Sequence, residues 1–324
     1  MAIHTSPTRE LLGGGTSILL AAALWGTTGT AQSVILGTAG PFSIGAARIV
    51  IGGLLLLVLA SFVQRGASVR RLLSASRADR RRVRQLIALG ALSVAVYQIT
   101  FFASVATTGV AVGTVVTIGS GPAFAGLLAT ALGKRPSSRW LLATAGAVVG
   151  CAALVSGGEA AGVVPVGIVL ALVAGFGYAS YATIAGFLIN NGDDDLAVIA
   201  ALFAGAGFLL LPGLIATTPG WLLSPAGLTI ALYLGAVTTT LGYVLYARGL
   251  RTTPVPTATS LTMAEPVVAA LLGLIVLNER LGGVALAGLG LIGVSLLLLV
   301  PRRKGRSPRP SSVDHGRVSA RGPG

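Results

Sequence analysis

Acidic residues are scarce in this chain: nine Asp and Glu among 324 residues, against 23 Lys and Arg, with charged residues only 10% of the total. A soluble domain carries about 25% charged residues, so this sequence cannot clothe a water-facing globular surface. Histidine occurs only as His4 and His315, in the terminal segments, and cysteine only as Cys151. These counts exclude an intramolecular disulfide, an intramembrane zinc site and a serine–histidine pair, and no metal or cofactor is expected. A phosphate-binding Walker loop is also missing. Gly133-Lys134 is followed by Arg135 instead of Ser or Thr, and the upstream glycine is absent. ATP drive from within the chain is therefore not expected. A membrane enzyme and a non-transporting receptor or scaffold stand as the alternative function classes.

What the chain does have is apolar length. Hydrophobic residues make up 54%, and 46 glycines add to them. About 20 apolar residues at about 1.5 Å each cross the hydrocarbon layer. Ten runs of that kind occur, at roughly 14–36, 42–63, 85–107, 110–132, 139–157, 164–189, 196–217, 225–247, 255–277 and 282–301. The expected fold is an all-α polytopic membrane protein of ten transmembrane helices. The first run follows Arg9 and superficially resembles a secretory signal, but nine later spans favour an uncleaved helix.

Short-loop Lys and Arg report orientation. Arg65, Arg70, Arg71, Arg77, Arg80, Arg81, Arg82 and Arg84 crowd the connection between spans two and three, which places that loop in the cytoplasm. Alternating from there, Lys134, Arg135, Arg139, Arg248 and Arg251 fall on the same side, as do the basic residues beyond Pro301. Both termini are expected to be cytoplasmic, in a cell's inner membrane. The net charge of +14 is then a topology signal, and no nucleic-acid partner is expected. Residues 303–324, rich in Arg, Pro, Ser and Gly, are expected to form a disordered basic tail.

An internal repeat underlies the ten runs. Leu89-Gly90-Ala91 with Thr107-Thr108-Gly109-Val110 recurs as Leu234-Gly235-Ala236 with Thr252-Thr253-Pro254-Val255, at one offset of 145 residues. The spacing divides the chain into a five-helix repeat over 1–157 and a second over 158–302. Five is odd, so the copies cross the membrane in opposite senses, as two inverted repeats. That symmetry characterises many secondary transporters.

The chain resembles the EamA family of the drug/metabolite transporter superfamily across both repeats. The resemblance rests on Ala23-Leu24-Trp25-Gly26, Pro41 with Arg48, Tyr97-Gln98 with Phe101-Phe102, Pro122, Glu265-Pro266 and Leu277-Asn278-Glu279-Arg280. It implies a ten-helix inner-membrane carrier, commonly an exporter of amino acids, other metabolites or drugs. One departure stands out: the family often closes span four with a glutamate, and this chain reads Leu132-Gly133-Lys134-Arg135 there.

Intramembrane ionisable groups are expensive and usually face a cavity or a partner. Two lie deep in the expected spans, Arg48 and Glu265. Glu265 is a candidate proton-exchanging or amine-binding carboxylate, and Arg48 a candidate contact for a substrate carboxylate. The structural alternatives are a static ion pair between them and, for Arg48, snorkelling to the interface. Pro122 and Pro266 sit mid-span in equivalent helices and are candidate gating kinks that free carbonyls near Ile118 and Thr262. Trp25, Tyr97, Gln98, Tyr178 and Tyr246 are candidate binding residues, because aromatic faces with polar tips suit a small, partly apolar solute. Trp140 and Trp221 sit at span ends and read as interface anchors. Gly146 and Gly150 form a small-residue face suited to internal helix packing, with a homodimer seam as the alternative to a monomer. The expected partners are a small-molecule substrate and the lipid bilayer. The expected function is alternating-access export of an amino acid, amine or drug-like solute, with proton coupling through Glu265.

Overall fold

The computed structural model describes residues 7–33, 39–63, 77–156, 164–276 and 282–299. Outside them lie both histidines, Arg65, Arg70, Arg71, the 277–280 motif with Arg280, and the 303–324 tail. Among the described residues every regular element is helical. In hydrocarbon the backbone must satisfy its own hydrogen bonds, and a helix does so within one segment.

In chain order the helices are α1 (Pro7–Gly26), α2 (Thr28–Ser33), α3 (Pro41–Val63), α4 (Arg77–Thr108), α5 (Val110–Ala131), α6 (Ser138–Ser156), α7 (Pro165–Asn190) and α8 (Asp195–Ala216). There follow α9 (Pro225–Tyr233), a π-helical stretch (Leu234–Leu241), α10 (Gly242–Leu250), α11 (Val255–Leu261), a 3-10 turn (Thr262–Ala264), α12 (Glu265–Val276) and α13 (Gly283–Leu299). Local chemistry sets the boundaries. Pro165 and Pro225 open their helices at a position where the missing N–H costs nothing. Gly109, at φ 83°, makes the left-handed break between α4 and α5. Asp194 caps α8 by accepting the Ala197 N–H at 2.9 Å.

Seven described segments are long and apolar enough to cross a membrane: Pro41–Val63, Arg81–Thr108, Val112–Ala131, Pro165–Asn190, Asp195–Ala216, Pro225–Leu250 and Val255–Val276. The chain is thus a multi-pass membrane protein. The other three expected spans fall on α1, α6 and α13, and the last two contain shorter apolar helices.

Glycine brings helices to backbone contact. α3 packs on α8, where a Cβ at Gly53 would lie 2.5 Å from the Phe203 carbonyl oxygen. α6 packs on α13, where a Cβ at Gly150 would meet the Gly288 carbonyl oxygen at 2.8 Å and one at Gly146 the Ser295 hydroxyl at 2.5 Å. The small-residue face of α6 is therefore used inside the chain. α4 packs on α7, α1 on α10, and α5 on both α7 and α11.

Two spans depart from continuous α-helix, and one proline-bearing span does not. Span eight is not uniform α-helix, since its middle is π-helical, a form that widens one turn and displaces carbonyls from the i−4 ladder. Pro122 lies within the single helix α5, whereas its counterpart Pro266 sits just after the 3-10 turn that splits α11 from α12. Proline alone does not fix the outcome. The Thr262 carbonyl accepts the Glu265 N–H in that turn, so its backbone bond is already spent.

Candidate functional site

A cavity of about 30 Å³ is lined by Trp25, Arg48, Tyr97, Thr117, Ile118, Tyr178, Tyr243, Thr262 and Glu265. Since a buried water needs about 10–15 Å³ of such volume, the cavity admits water and no organic solute. Its walls come from α1, α3, α4, α5, α7, α10, the 3-10 turn and α12.

The walls are fixed by hydrogen bonds that leave other faces free. The Trp25 indole N–H donates to the Thr238 carbonyl in the π-helical stretch at 2.8 Å. Its ring packs on Tyr243 and Tyr246, with centroids 4.8 and 5.5 Å away. Tyr178 and Thr262 join hydroxyls at 2.8 Å across α7 and the 3-10 turn. Tyr97 lies 6.1 Å from the Tyr178 ring. Aromatic surface therefore surrounds one carboxylate and one guanidinium.

Arg48 and Glu265 line this cavity without forming an ion pair with each other, unlike Arg251 and Asp195, which pair at 2.8 Å. The Arg48 Nε is buried and has no hydrogen-bond partner among the described residues. Opposite charges in a low-dielectric site attract strongly, and a buried donor left without a bond is costly. Tyr97 meets the Arg48 guanidinium with a side-chain hydrogen bond, and the Nε is left for a polar group from elsewhere.

Two larger cavities flank it. One, of about 620 Å³, is lined by Pro41, Phe42 and Ser43 at the start of α3, Ile99, Phe102 and Ala106 near the end of α4, and Thr217 and Trp221 after α8. The other, of about 590 Å³, lies at the opposite ends of the same bundle, lined by Ala129 and Lys134, Thr183, Phe187 and Asn190, and Arg251 through Pro256. Both fall in the range of small-molecule pockets, about 300–1,000 Å³. Phe102, in the lining of the first, lays its ring against Gly45.

The EamA-like transporter family model matches residues 12–156 and again 165–300. A curated relative, the uncharacterized transporter YwfM of Bacillus subtilis (strain 168), is 37% identical over 290 residues, covering 89% of this chain and 94% of that one. The chain belongs to the EamA-like transporter family. It is a membrane transporter. A protein of known crystal structure shares its fold with a TM-score of 0.74 at 19% identity, over 88% of this chain and 95% of that one.

Within this EamA-family fold, five of the seven residues expected to bind substrate, Trp25, Arg48, Tyr97, Tyr178 and Glu265, line the central cavity. Gln98 does not. One residue round α4 from Tyr97, its amide donates to the Gly45 carbonyl at 3.4 Å. Tyr246 does not either; it is a wall behind Trp25, and Tyr243, one turn away, takes its place. Thr117, Ile118 and Thr262 also line the cavity and were not candidates by side chain. Thr262 could have been found as the hydroxyl residue four before Pro266, equivalent to Ile118 before Pro122. Trp140 and Trp221 are corrected as interface anchors: both are buried, donating their indole N–H groups to the Pro256 carbonyl and the Ser43 hydroxyl, each at 2.9 Å.

Proposed function

We propose that this chain is a secondary carrier that exports a small solute by alternating access, with the central cavity as its substrate site. The observation that carries the reading is the arrangement of one small cavity, bearing a carboxylate and a guanidinium, between two larger ones at opposite ends of the bundle. A ligand pocket that shrinks to water size between two vestibules is what an occluded carrier requires. Opening toward one vestibule at a time moves the solute across without a continuous pore.

The carrier frame is ten transmembrane helices in two inverted five-helix repeats, 1–157 and 158–302. Support comes from the packing. Exchanging the halves exchanges α1 with α7, α3 with α8, α4 with the α9–α10 segment, α5 with α11–α12 and α6 with α13. Under it the α3–α8 and α6–α13 contacts map onto themselves, and α4–α7 maps onto α1–α10. The doubled family match points the same way. The arginine-bearing end, with Arg82, Lys134 and Arg251, is cytoplasmic in an inner membrane, and the α3 start with Trp221 faces outward.

The substrate suited to this site is a zwitterion or amine with an apolar or aromatic body. Glu265 takes an ammonium, Arg48 takes a carboxylate, and Trp25, Tyr97 and Tyr178 take the side chain. Glu265 also exchanges a proton when the ammonium leaves, coupling export to proton entry. The test is counterflow in proteoliposomes with three compounds of one skeleton, L-phenylalanine, phenethylamine and hydrocinnamate. Exchange of the two compounds that carry an ammonium, lost in Glu265→Gln, supports the reading. Equal exchange of all three by wild type and variant overturns it.

A further inference from the structure

The two vestibules are alike in size and unlike in charge. The 620 Å³ cavity has no charged side chain among its described lining residues; its polar groups are Ser43, Thr217 and Thr218. The 590 Å³ cavity is lined by Lys134 at the end of α5 and Arg251 after α10, with Asn190, Asn191, Thr252 and Thr253 beside them. Arg82 stands over the Phe187 ring of the same wall at 5.4 Å. Asp195 bonds Arg251, and Asp193 and Asp194 stand in the same short connection, two and three residues beyond Asn191 and outside the lining. The lining itself holds two cations and no acid, and among the described residues Lys134 has no carboxylate in ion-pair range.

We propose that this basic vestibule is a second binding site, an antechamber that captures the carboxylate of the substrate before the central cavity opens, with Lys134 as its principal contact. The proposal rests on the carrier reading above. The cation–π contact holds Arg82 against Phe187, and the Asn190 and Asn191 side chains donate to backbone carbonyls of their own turn and of Leu250, which leaves as donors the Lys134 ammonium and the Arg251 nitrogens not bonded to Asp195. A positive, concave wall raises the local concentration of a carboxylate, and salt within a Debye length of about 8–10 Å cancels the gain. The neutral vestibule has no such means of retention. A carboxylate-bearing solute is therefore taken up with higher apparent affinity from the basic face than from the other, an asymmetry built from one face's side chains without any energy source.

The experiment measures uptake of L-phenylalanine and phenethylamine from each face of oriented proteoliposomes at low and high salt. From the basic face, the KM for L-phenylalanine rises about fivefold with salt, the effect of roughly one unit charge in water; from the opposite face it does not. Lys134→Gln gives the higher KM already at low salt with unchanged kcat, and Lys134→Arg restores the wild-type value. Phenethylamine, a cation that the wall repels, shows no rise in KM with salt or with Lys134→Gln; its KM falls or stays level. Equal salt dependence on both faces, or a silent Lys134→Gln, overturns the proposal. The liposomes are made once of phosphatidylcholine alone and once with phosphatidylglycerol. An effect of Lys134 present only with phosphatidylglycerol overturns it in favour of a lipid headgroup. Binding of radiolabelled hydrocinnamate to the purified protein in detergent, weaker in Lys134→Gln than in wild type, reads the same site without transport. Should no flux be found, loss of that binding difference overturns the antechamber independently of the carrier reading, and its persistence upholds it.

Discussion

Arg48 and Glu265, from the two halves of the chain, face one cavity of about 30 Å³ and do not close to ion-pair range. Were they a static pair holding the bundle together, each would use up the other's charge. Held apart, each remains available to a group of opposite sign. Arg48→Gln is expected to weaken hydrocinnamate and L-phenylalanine binding about tenfold or more and to spare phenethylamine, because a charge-assisted hydrogen bond contributes about 1.5–3 kcal/mol. Glu265→Gln is expected to give the opposite pattern. Competition binding to purified protein checks both, and a variant that weakens all three compounds alike contradicts the division of labour.

Proton coupling follows from the same carboxylate. The amide introduced by Glu265→Gln mimics a permanently protonated acid. The variant should therefore retain solute exchange at equal pH on both sides where the compound needs no ammonium contact, and lose acceleration by an inward proton gradient. Flux measured with and without the gradient decides the matter. A variant still accelerated by the gradient removes Glu265 from the coupling.

The Tyr178–Thr262 hydroxyl pair ties α7 to the 3-10 turn at 2.8 Å. Interhelical hydrogen bonds in membranes average about 0.6 kcal/mol and reach about 1.7. Tyr178→Phe should therefore cost a degree or two in thermal unfolding in detergent and leave folding intact. A double-mutant cycle with Thr262→Val should show coupling of that size.

Gly53→Ala should be far more damaging, because the added Cβ meets the Phe203 carbonyl oxygen at 2.5 Å and the Ala204 backbone nitrogen at 3.0 Å, neither of which can rotate away. Overpacking of this kind costs about 1–3 kcal/mol. Gly293→Ala, in a helix with nothing near the new atom, should be neutral or slightly stabilising. Thermal stability of the two variants side by side tests the packing account.

Hydrophobic runs disclosed the helices well because burial in lipid writes itself over twenty residues at a time. The charged residues of the site were legible for a related reason: Arg48 and Glu265 are costly where they stand, and cost in a membrane implies a partner or a cavity. Side-chain direction was less legible. Tyr97 and Gln98 are neighbours in sequence but about 100° apart round a helix, and only packing reveals which of them faces the cavity. The π-helical stretch carries no composition signal; Leu234 to Leu241 reads as ordinary apolar helix, and its effect on the Thr238 carbonyl appears only through the bond from Trp25. Trp140 and Trp221 misled for the converse reason, since a tryptophan at a helix end is as able to bond protein as lipid headgroups.

The most direct test of alternating access uses the lone cysteine. With buried Cys151 replaced by alanine, spin-label pairs are placed across the neutral vestibule, at Ala106 and Thr218, and across the basic one, at Lys134 and Asn191. Pulsed electron-spin distances are recorded in liposomes with and without the solute that exchanges fastest. The account predicts opposed changes, one vestibule widening as the other narrows. Distances that stay fixed, or that widen together, would contradict it.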